Sequence, residues 1–279
     1  MYGDCDVYGV NPYMYEYVLD RAWERNCTDQ EWIRNLADRR AGVEDENYRK
    51  AWSVMYEKVL KDISGNRSAL LPGRPAMNGT SKWSKVWTTY SNKDLLEVWK
   101  YLAQSDRHDT PSWKFDCVNI PRQCLENAFG RLNDSMLKAY KAGDAEKVDE
   151  LCSLMSQILD DVDRLVSADS YFLLGKWIGD ARALGCDAVE ADYYERDARN
   201  IITTWGGRGQ KLNDYANRTY AGLLADGTLV DEQALLDAML DHEWEWVSRT
   251  DSYSPIPVGD PALLCSELYE KWNEVISKL

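Results

Sequence analysis

The chain has 279 residues, and its 33 Lys and Arg against 47 Asp and Glu give a formal charge of −14. This acidic balance argues against a nucleic-acid binder or a protein that docks on anionic lipids, because both need a basic surface. No apolar run approaches the roughly 18 residues of a membrane span. From the charge and the hydropathy together, we expect neither a nucleic-acid partner nor a membrane partner. The 12 Trp and 17 Tyr against 3 Phe are aromatics with a polar group, which suit sugar sites as well as cores.

Helix signals dominate the chain and predict an all-α fold, an irregular bundle of about ten helices with mostly short connections. Asn11-Pro12 opens the first helix, and Thr28 with Glu31 forms a capping box for the second, which ends at Gly42. The segment 64–82, rich in Gly and Pro, is predicted to be a long loop. Helices are predicted at about 13–26, 28–42, 44–63, 95–102 (capped by Ser91), 117–142, 144–166, 171–184, 187–204, 211–225, 231–247 and 261–277.

Metal chemistry finds no support in the sequence. The seven cysteines are scattered without a C-x-x-C motif, and the two histidines are His108 and His242. No zinc site can be assembled from them at the usual spacings, so we predict buried free thiols and no metal. Both histidines are interpreted as surface or core residues, His108 within a loop of solvated composition. Five N-x-[ST] sequons, at Asn26, Asn66, Asn78, Asn133 and Asn217, mildly favour a secreted protein.

Two local patterns invite a catalytic or binding interpretation. Asp160 and Asp163 share a helix face, and we expect them to form ion pairs with neighbouring helices, for instance with Arg182, rather than to act as an acid and base. The glycines of 206–209 follow a helix and read as its end rather than as a phosphate loop.

The segment 203–217 has the composition of a sugar site. Trp205 stands at a predicted helix end, and a Gly-rich connection then leads into a helix start rich in Asn, Asp and Tyr. An apolar ring beside convergent hydrogen-bonding groups is what a sugar needs, although a purely structural helix corner remains the alternative.

Five blocks of the sequence, in order, resemble glycoside hydrolase family 89, the α-N-acetylglucosaminidases. The resemblance runs in register over about residues 9–225. The blocks are Trp32 to Gly42, Arg74-Pro75 through Trp83, Phe115-Asp-Cys-Val-Asn-Ile-Pro-Arg-Gln123, Phe172-Leu-Leu-Gly-Lys-Trp177 with Asp180 to Gly185, and Tyr193 to Gly206 with Leu212 to Arg218.

The resemblance implies a part of a larger retaining hydrolase that removes terminal α-linked N-acetylglucosamine. Such enzymes have a small N-terminal domain, a (β/α)8 barrel with two catalytic glutamates, and an all-α C-terminal domain, and they need no metal or cofactor. By this resemblance, 1–44 is a remnant of the last barrel helices and 45–279 is the all-α domain. Trp205 and Leu212 match the residues that line the sugar pocket, with one inserted residue before Leu212. The implied partners are terminal α-linked N-acetylglucosamine glycans and a barrel, in cis or in trans.

The chain itself matches no catalytic residue of the family. Asp6 occupies the position of the nucleophilic glutamate and the acid/base lies outside the chain, so we expect no turnover from these 279 residues alone. After Leu224 the sequence departs from the family pattern. The alternatives are a stand-alone helical carbohydrate-binding or scaffold module and one half of a split hydrolase. The resemblance implies a secreted, periplasmic or lysosomal location, whereas the chain shows no signal peptide.

Overall fold

The computed structural model describes residues 12–23, 27–60, 75–76, 79–80, 88–203, 219–223, 247 and 252–279. Helices dominate these residues, which confirms the predicted all-α class. The helices described there are α1 (Pro12–Trp23), α2 (Asp29–Ala41), α3 (Glu46–Val54), α4 (Asn92–Ala103), α5 (Pro111–Ala142), α6 (Ala145–Val166), α7 (Leu174–Arg182), α8 (Ala188–Ile201) and α9 (Pro261–Lys278). A π-helical turn (Met55–Val59), a 3-10 turn (Ser170–Phe172) and a pair of two-residue antiparallel strands, β1 (Pro75–Ala76) and β2 (Gly79–Thr80), complete them. None of the helices in this part of the chain has the length and apolar content to cross a membrane.

The capping signals read from the sequence are present in the structure. The Thr28 N–H donates to Glu31 Oε2 at 2.8 Å, and the Glu31 N–H donates in return to Thr28 Oγ1. These two bonds satisfy amides that the first turn of α2 leaves without helical partners. Gly42 ends α2 with φ at 76°, a conformation that a residue with a Cβ adopts at a cost.

The long helix α5 is the centre of the domain and packs against α2, α4, α6 and α9. The predicted start at residue 117 was wrong, because the helix begins at Pro111. The Thr110 hydroxyl accepts from the Trp113 N–H, and Pro111 occupies the first helical position, where the lack of an N–H has no cost. The core around α5 contains three fully buried tryptophans, Trp52, Trp99 and Trp272.

A second, smaller apolar cluster joins α7 and α8 to later segments of the chain. It consists of Leu174, Ile178, Ile202, Leu223 and Val247. This cluster lies in a region where the structure differs from two of the predicted helices. The predicted helix 171–184 breaks at Leu173, which is extended and bridges to Ala221. The predicted helix 211–225 does not continue through 219–222, since residues 219–220 are irregular and Ala221 takes part in this bridge.

The burial of individual side chains tests the predictions made for the cysteines and for the N-x-[ST] sequons. Cys117, Cys124 and Cys265 are buried thiols, as predicted, whereas Cys186 is exposed. The Asn133 side chain is buried, so its sequon is inaccessible in the folded domain. The other four sequons lie outside the described residues or among residues whose side chains the structure does not describe.

His108 lies in the connection between α4 and α5, where Asp106, Arg107 and Asp109 are exposed as the sequence indicates, but its own side chain is only 8% exposed. Its Nε2 lies 2.8 Å from Asp45 Oδ2, and its ring packs near the rings of Tyr48 and Trp113. Asp45 also accepts the N–H groups of Asn47 and Tyr48, and so caps α3. His108 is therefore a core residue that joins the start of α3 to the segment before α5.

Helix α1 attaches to α2 through polar contacts. Tyr17 donates to Asp29 at 2.8 Å, and the Trp32 indole donates to Asp20 at 2.8 Å. Within residues 17–23, where the side chains of α1 are described, the opposite face is apolar and faces solvent. These exposed residues are Val18, Leu19, Ala22 and Trp23, and Trp23 is 86% exposed. A helix with its polar face toward its own domain and its apolar face outward is the reverse of the usual arrangement on a globular surface.

A buried ion pair joins α2 and α3 to α5. Arg40 donates from Nε and Nη2 to the two oxygens of Asp116, at 2.9 and 2.6 Å. The Tyr48 hydroxyl donates to the same carboxylate, and Asp116 is 0% exposed. Burial and the adjacent Asp116 charge raise the pKa of Tyr48 well above its usual value, so the phenol stays protonated and remains a donor.

We expect Asp116→Ala to destabilise the domain by about 3–5 kcal/mol, because it leaves the Arg40 charge and the Tyr48 hydroxyl buried without their acceptor. Urea unfolding followed by circular dichroism measures this change in the free energy of unfolding. Asp109→Ala is the control, since Asp109 also forms an ion pair, with Lys114, but its side chain is 95% exposed. Equal losses from the two variants would contradict the importance of the buried pair.

Candidate functional site

The residues assigned to the sugar pocket, Trp205 and Leu212, lie outside the described residues. The same is true of Asp6, His242 and the glycines of 206–209. The structure does describe the residues on both sides of the segment 204–218, namely 201–203 and 219–223. The candidate site is therefore built here from the groups that hold these two flanks, which we call the frame.

The first flank is held by a buried ion pair at the end of α8. Arg199, which is 0% exposed, donates to Glu195 Oε1 from Nε at 2.9 Å and from Nη2 at 2.7 Å. The guanidinium also lies 5.4 Å from the centre of the Tyr253 ring, a cation–π contact. The Thr203 hydroxyl donates back to the Arg199 carbonyl at 2.8 Å. The last described residue before the segment is thus fixed to the turn that carries the buried arginine.

Trp177 of α7 connects the two flanks. Its indole N–H donates to the Ala198 carbonyl at 3.0 Å, and its ring stacks on Tyr220 with centres 6.1 Å apart. Next to Tyr220, the Ala221 N–H donates to the Phe172 carbonyl at 2.8 Å. One side chain therefore contacts α8 before the segment and the chain after it.

Two glycines allow the segment 252–254 to pass close to the frame. A Cβ added at Gly175 would lie 2.4 Å from the carbonyl oxygens of Tyr253 and Ser254, closer than real Cβ atoms approach. Gly222 has φ at 90°, and a Cβ there would lie 2.9 Å from Tyr253 Cδ1. The glycine of the Phe172-Leu-Leu-Gly block thus has a steric reason to be a glycine.

The second flank is held by a buried polar network on α5. Arg122 donates to Glu126 Oε1 at 2.8 Å and to Asn119 Oδ1 at 2.8 and 3.1 Å. The Thr219 hydroxyl donates to the same Glu126 oxygen. The Arg122 guanidinium lies 5.9 Å from the centre of the Phe172 ring. The first described residue after the segment is therefore hydrogen-bonded to an internal ion pair.

In this network Asn119 accepts from Arg122 through a neutral amide oxygen, and Glu126 carries the negative charge that pairs with the guanidinium. Pro121 lies inside the continuous helix, one residue before Arg122.

Of the two aspartates singled out in the sequence, Asp160 is exposed and Asp163 has a structural partner. Asp163 accepts from the Gly222 N–H at 2.9 Å, which ties α6 to the second flank. The expected pairing with Arg182 was wrong, because Arg182 donates to Asp192 and Glu195 on α8. Sequence reasoning missed Glu126, Thr219 and Glu195 altogether. The available signal was the presence of Arg122 and Arg199 within motif blocks, since a buried arginine needs a carboxylate partner.

Among the described residues, no group of three or more His, Cys, Asp and Glu side chains could hold a metal ion. The frame consists of ion pairs, hydrogen bonds and stacked aromatic rings that hold the residues on both sides of the segment 204–218.

Comparison with known proteins identifies the family of the chain. Residues 32–271 match the family model described as the α-N-acetylglucosaminidase (NAGLU) C-terminal domain. The chain belongs to this family. Human α-N-acetylglucosaminidase is 28% identical over 292 aligned residues, which cover 94% of this chain and 38% of the human protein.

Solved structures of a family 89 glycoside hydrolase from Clostridium perfringens have the same fold as this NAGLU C-terminal domain. One, with two glutamates replaced by glutamine and bound to its substrate GlcNAc-α-1,4-galactose, has a TM-score of 0.83 at 24% identity, covering 95% of this chain and 34% of that one. Another, in complex with PUGNAc, has a TM-score of 0.79 at 23% identity, covering 93% and 33%. The domain thus spans between a third and two fifths of the length of these relatives.

The pKa of Asp163 predicts how the frame responds to pH. Burial is the main cause that raises this pKa, and the neighbouring Asp160 raises it further, against the lowering effect of the Gly222 N–H. Between the unfolded pKa of about 3.9 and the raised folded pKa, the folded domain holds a proton that the unfolded chain has released. Stability due to this group is therefore lost as the pH rises through the folded pKa. We expect the Tm difference between Asp163→Asn and the wild type to become more positive as the pH rises, in thermal melts at a series of pH values.

Asp29→Asn provides the control of opposite sign. Hydrogen bonds from Tyr17 and Tyr56 lower the pKa of Asp29, so its stabilisation is present above the unfolded pKa and is lost as the pH falls. This variant is expected to become less stable relative to the wild type as the pH rises. Parallel trends for the two variants would contradict the assignment of the Asp163 shift.

Proposed function

We propose that this chain is the helical part of a family 89-like retaining α-N-acetylglucosaminidase, in which it braces a (β/α)8 barrel and closes one wall of the sugar pocket. Membership of the NAGLU C-terminal domain family supports this, as does the relative from Clostridium perfringens that was solved with GlcNAc-α-1,4-galactose. The chain spans about a third of that relative, so the proposal assigns the barrel to a further part of the protein or to a separate chain.

The observation that carries the proposal is the outward face of α1. Val18, Leu19 and Trp23 are large apolar side chains in solvent, on a helix whose polar side chains already contact its own domain. Burial of exposed apolar area contributes about 25 cal/mol per Å², so a neighbouring body gains free energy by covering this face. An apolar face on the first helices favours a barrel partner, in cis or in trans, over a stand-alone carbohydrate-binding or scaffold module.

The division of the chain follows from the same proposal. We place the remnant of the last barrel helices in 1–44 and the all-α domain in 45–279. Asp45, at this boundary, caps α3 and accepts from the Asp106 N–H at 2.7 Å, and so belongs to the helical domain. Helix α2 lies in the proposed remnant, yet its apolar residues pack in the same core as those of α3 and α5. In this proposal, α2 therefore connects the barrel to the all-α domain.

In this proposal Trp205 and Leu212 line the sugar pocket, and the Trp205 ring is the apolar surface for the terminal N-acetylglucosamine. The frame supports this assignment indirectly, because buried groups fix the chain on both sides of the segment 204–218. The two catalytic carboxylates of a retaining hydrolase, about 5–5.5 Å apart, belong to the barrel in this proposal. The helical chain supplies binding and shape, and no group of its own attacks or protonates the glycosidic bond.

Substitution on α1 tests the docking of the barrel. We expect Leu19→Ser with Trp23→Ser to leave the Tm of the isolated chain within about 2 °C of the wild type, because both side chains are exposed. In the protein that includes the barrel, the same pair is expected to lower the Tm and to weaken the association of the two parts. Scanning calorimetry of both forms makes the measurement. An unchanged Tm in the presence of the barrel would overturn the proposed docking and favour the stand-alone module.

Substitution of Trp205 tests the pocket wall. In the barrel-containing enzyme, Trp205→Ala is expected to lower kcat/KM for an aryl α-N-acetylglucosaminide by about 10–100-fold, because a ring that contacts the sugar is worth about 1.5–3 kcal/mol. Tyr193→Ala is the control, since it removes an exposed aromatic ring that has no proposed role. The chain without a barrel is expected to show no turnover. Activity of the chain alone, or equal activity of Trp205→Ala and the control, would contradict the assignment.

A further inference from the structure

One side chain of the segment 252–254, that of Tyr253, packs against both flanks of the frame. On the first flank, the Arg199 guanidinium lies 5.4 Å from the centre of the Tyr253 ring. On the second flank, Gly222 lies so close to this ring that an added Cβ would be 2.9 Å from Cδ1 and 3.3 Å from Cε1. The ring therefore lies between the residues that precede the segment 204–218 and the residues that follow it.

The two contacts depend on an aromatic ring on one side and on the absence of a side chain on the other. A buried guanidinium is attracted to the face of an aromatic ring, and Arg199 is 0% exposed. Gly222 has no Cβ, so the ring can approach its backbone closely. A leucine in place of Tyr253 would fill part of the space but would offer Arg199 no such attraction.

The backbone of Tyr253 is itself held in place. Its carbonyl oxygen lies against Gly175 of α7, where an added Cβ would come within 2.4 Å of it. Further along the chain, the Val258 N–H donates to the Ser167 carbonyl at 2.8 Å, directly after α6. The ring therefore has a fixed position from which it can hold the two flanks.

Both flanks lead by short routes to the segment assigned to the sugar. The Arg199 carbonyl accepts from the Thr203 hydroxyl at 2.8 Å, and Thr203 stands two residues before Trp205. On the other flank, the Gly222 N–H donates to Asp163 at 2.9 Å. A shift of Arg199 or Gly222 therefore moves the end of the chain to which the segment 204–218 is joined.

We propose that Tyr253 is a positioning residue for the sugar pocket, whose ring fixes the two flanks relative to each other and so sets the position of Trp205. This inference rests on the proposed function, because it needs Trp205 to contact the terminal N-acetylglucosamine. Tyr253 itself touches neither the sugar nor the catalytic carboxylates in this assignment. Its loss weakens substrate binding and leaves the chemical step alone, so KM rises while kcat changes little.

The first test measures the flanks of the full chain by hydrogen–deuterium exchange and mass spectrometry. Tyr253→Leu is expected to speed exchange of the Thr203 and Gly222 amides by about 10-fold, because both N–H groups are bonded within the flanks. Tyr253→Phe keeps the ring and is expected to exchange like the wild type. Tyr269→Leu is the matched control, since this partly buried tyrosine packs on the larger core, edge-on to Trp99, and is expected to leave both amides unchanged.

Gly222→Ala tests the same contact from the opposite residue. Its Cβ would overlap the Tyr253 ring, and alanine is strained at a φ of 90°. We expect it to speed the same exchange. Combined with Tyr253→Leu, it is expected to give less than the product of the two single effects, because both substitutions remove one contact. Gly222→Ala also replaces Tyr253→Leu in both tests if the latter variant does not fold.

The second test measures kinetics on an aryl α-N-acetylglucosaminide with the enzyme that includes the barrel. Tyr253→Leu is expected to raise KM by about 5–10-fold while kcat stays within about twofold, and Tyr253→Phe is expected to keep the wild-type KM. Trp205→Ala is measured in parallel. If Trp205→Ala lowers kcat/KM but Tyr253→Leu leaves KM unchanged, the positioning role is overturned and the proposed function stands. If neither variant has an effect, the proposed function fails and the positioning role fails with it.

Three outcomes of the exchange experiment would also overturn the proposal. One is unchanged exchange at Thr203 and Gly222 in Tyr253→Leu. Another is equally fast exchange in Tyr253→Phe, which would show that the ring is not responsible. The third is an equal rise in Tyr269→Leu, which would show a general loss of stability in place of a local one.

Discussion

Helix α5 carries two carboxylates into the interior of the domain, and the packing of the surrounding segments depends on both being paired. Asp116 receives Arg40 and Tyr48 from α2 and α3, whereas Glu126 receives Arg122 and the hydroxyl of Thr219. The two lie about 15 Å apart along the helix axis, at a rise of 1.5 Å per residue. Taking a carboxylate out of water costs several kcal/mol unless partners replace the water, so each one dictates which segment lies beside it.

The tryptophans add a directional component to an otherwise apolar core. Trp99 donates to a carbonyl of α9, Trp177 to a carbonyl of α8, and Trp272 to Asp161 of α6. Phenylalanine would fill similar space but would make none of these bonds. In these three tryptophans the indole N–H group helps to fix the position of one helix against another, whereas the sugar-binding interpretation is proposed for Trp205 alone.

The sequence patterns predicted contacts between residues close together in the chain, and they missed contacts between residues far apart in it. The Thr28–Glu31 box and the end at Gly42 depend on residues within one or two turns, and both are present. The pairs Glu126–Thr219 and Asp45–His108 join residues 93 and 63 positions apart, and no periodicity signals them. The break at Leu173 has the same origin, since a backbone bridge to Ala221 outweighed a helical pattern of side chains. Family blocks located the frame through Arg122, although the partners of that residue came from the structure.

The close passage of Tyr253 and Ser254 over Gly175 and Gly222 has a consequence for synthesis. During synthesis, α7 and α8 leave the ribosome before the segment with Tyr253 and Ser254 is made. Until then, Arg199 lacks the Tyr253 ring that it contacts in the folded domain. The smaller cluster, which also needs Leu223 and Val247, is incomplete for the same interval. During that interval, apolar residues of α7 and α8 lack part of their cover, and the larger core still lacks Leu268, Trp272 and Ile276 of α9.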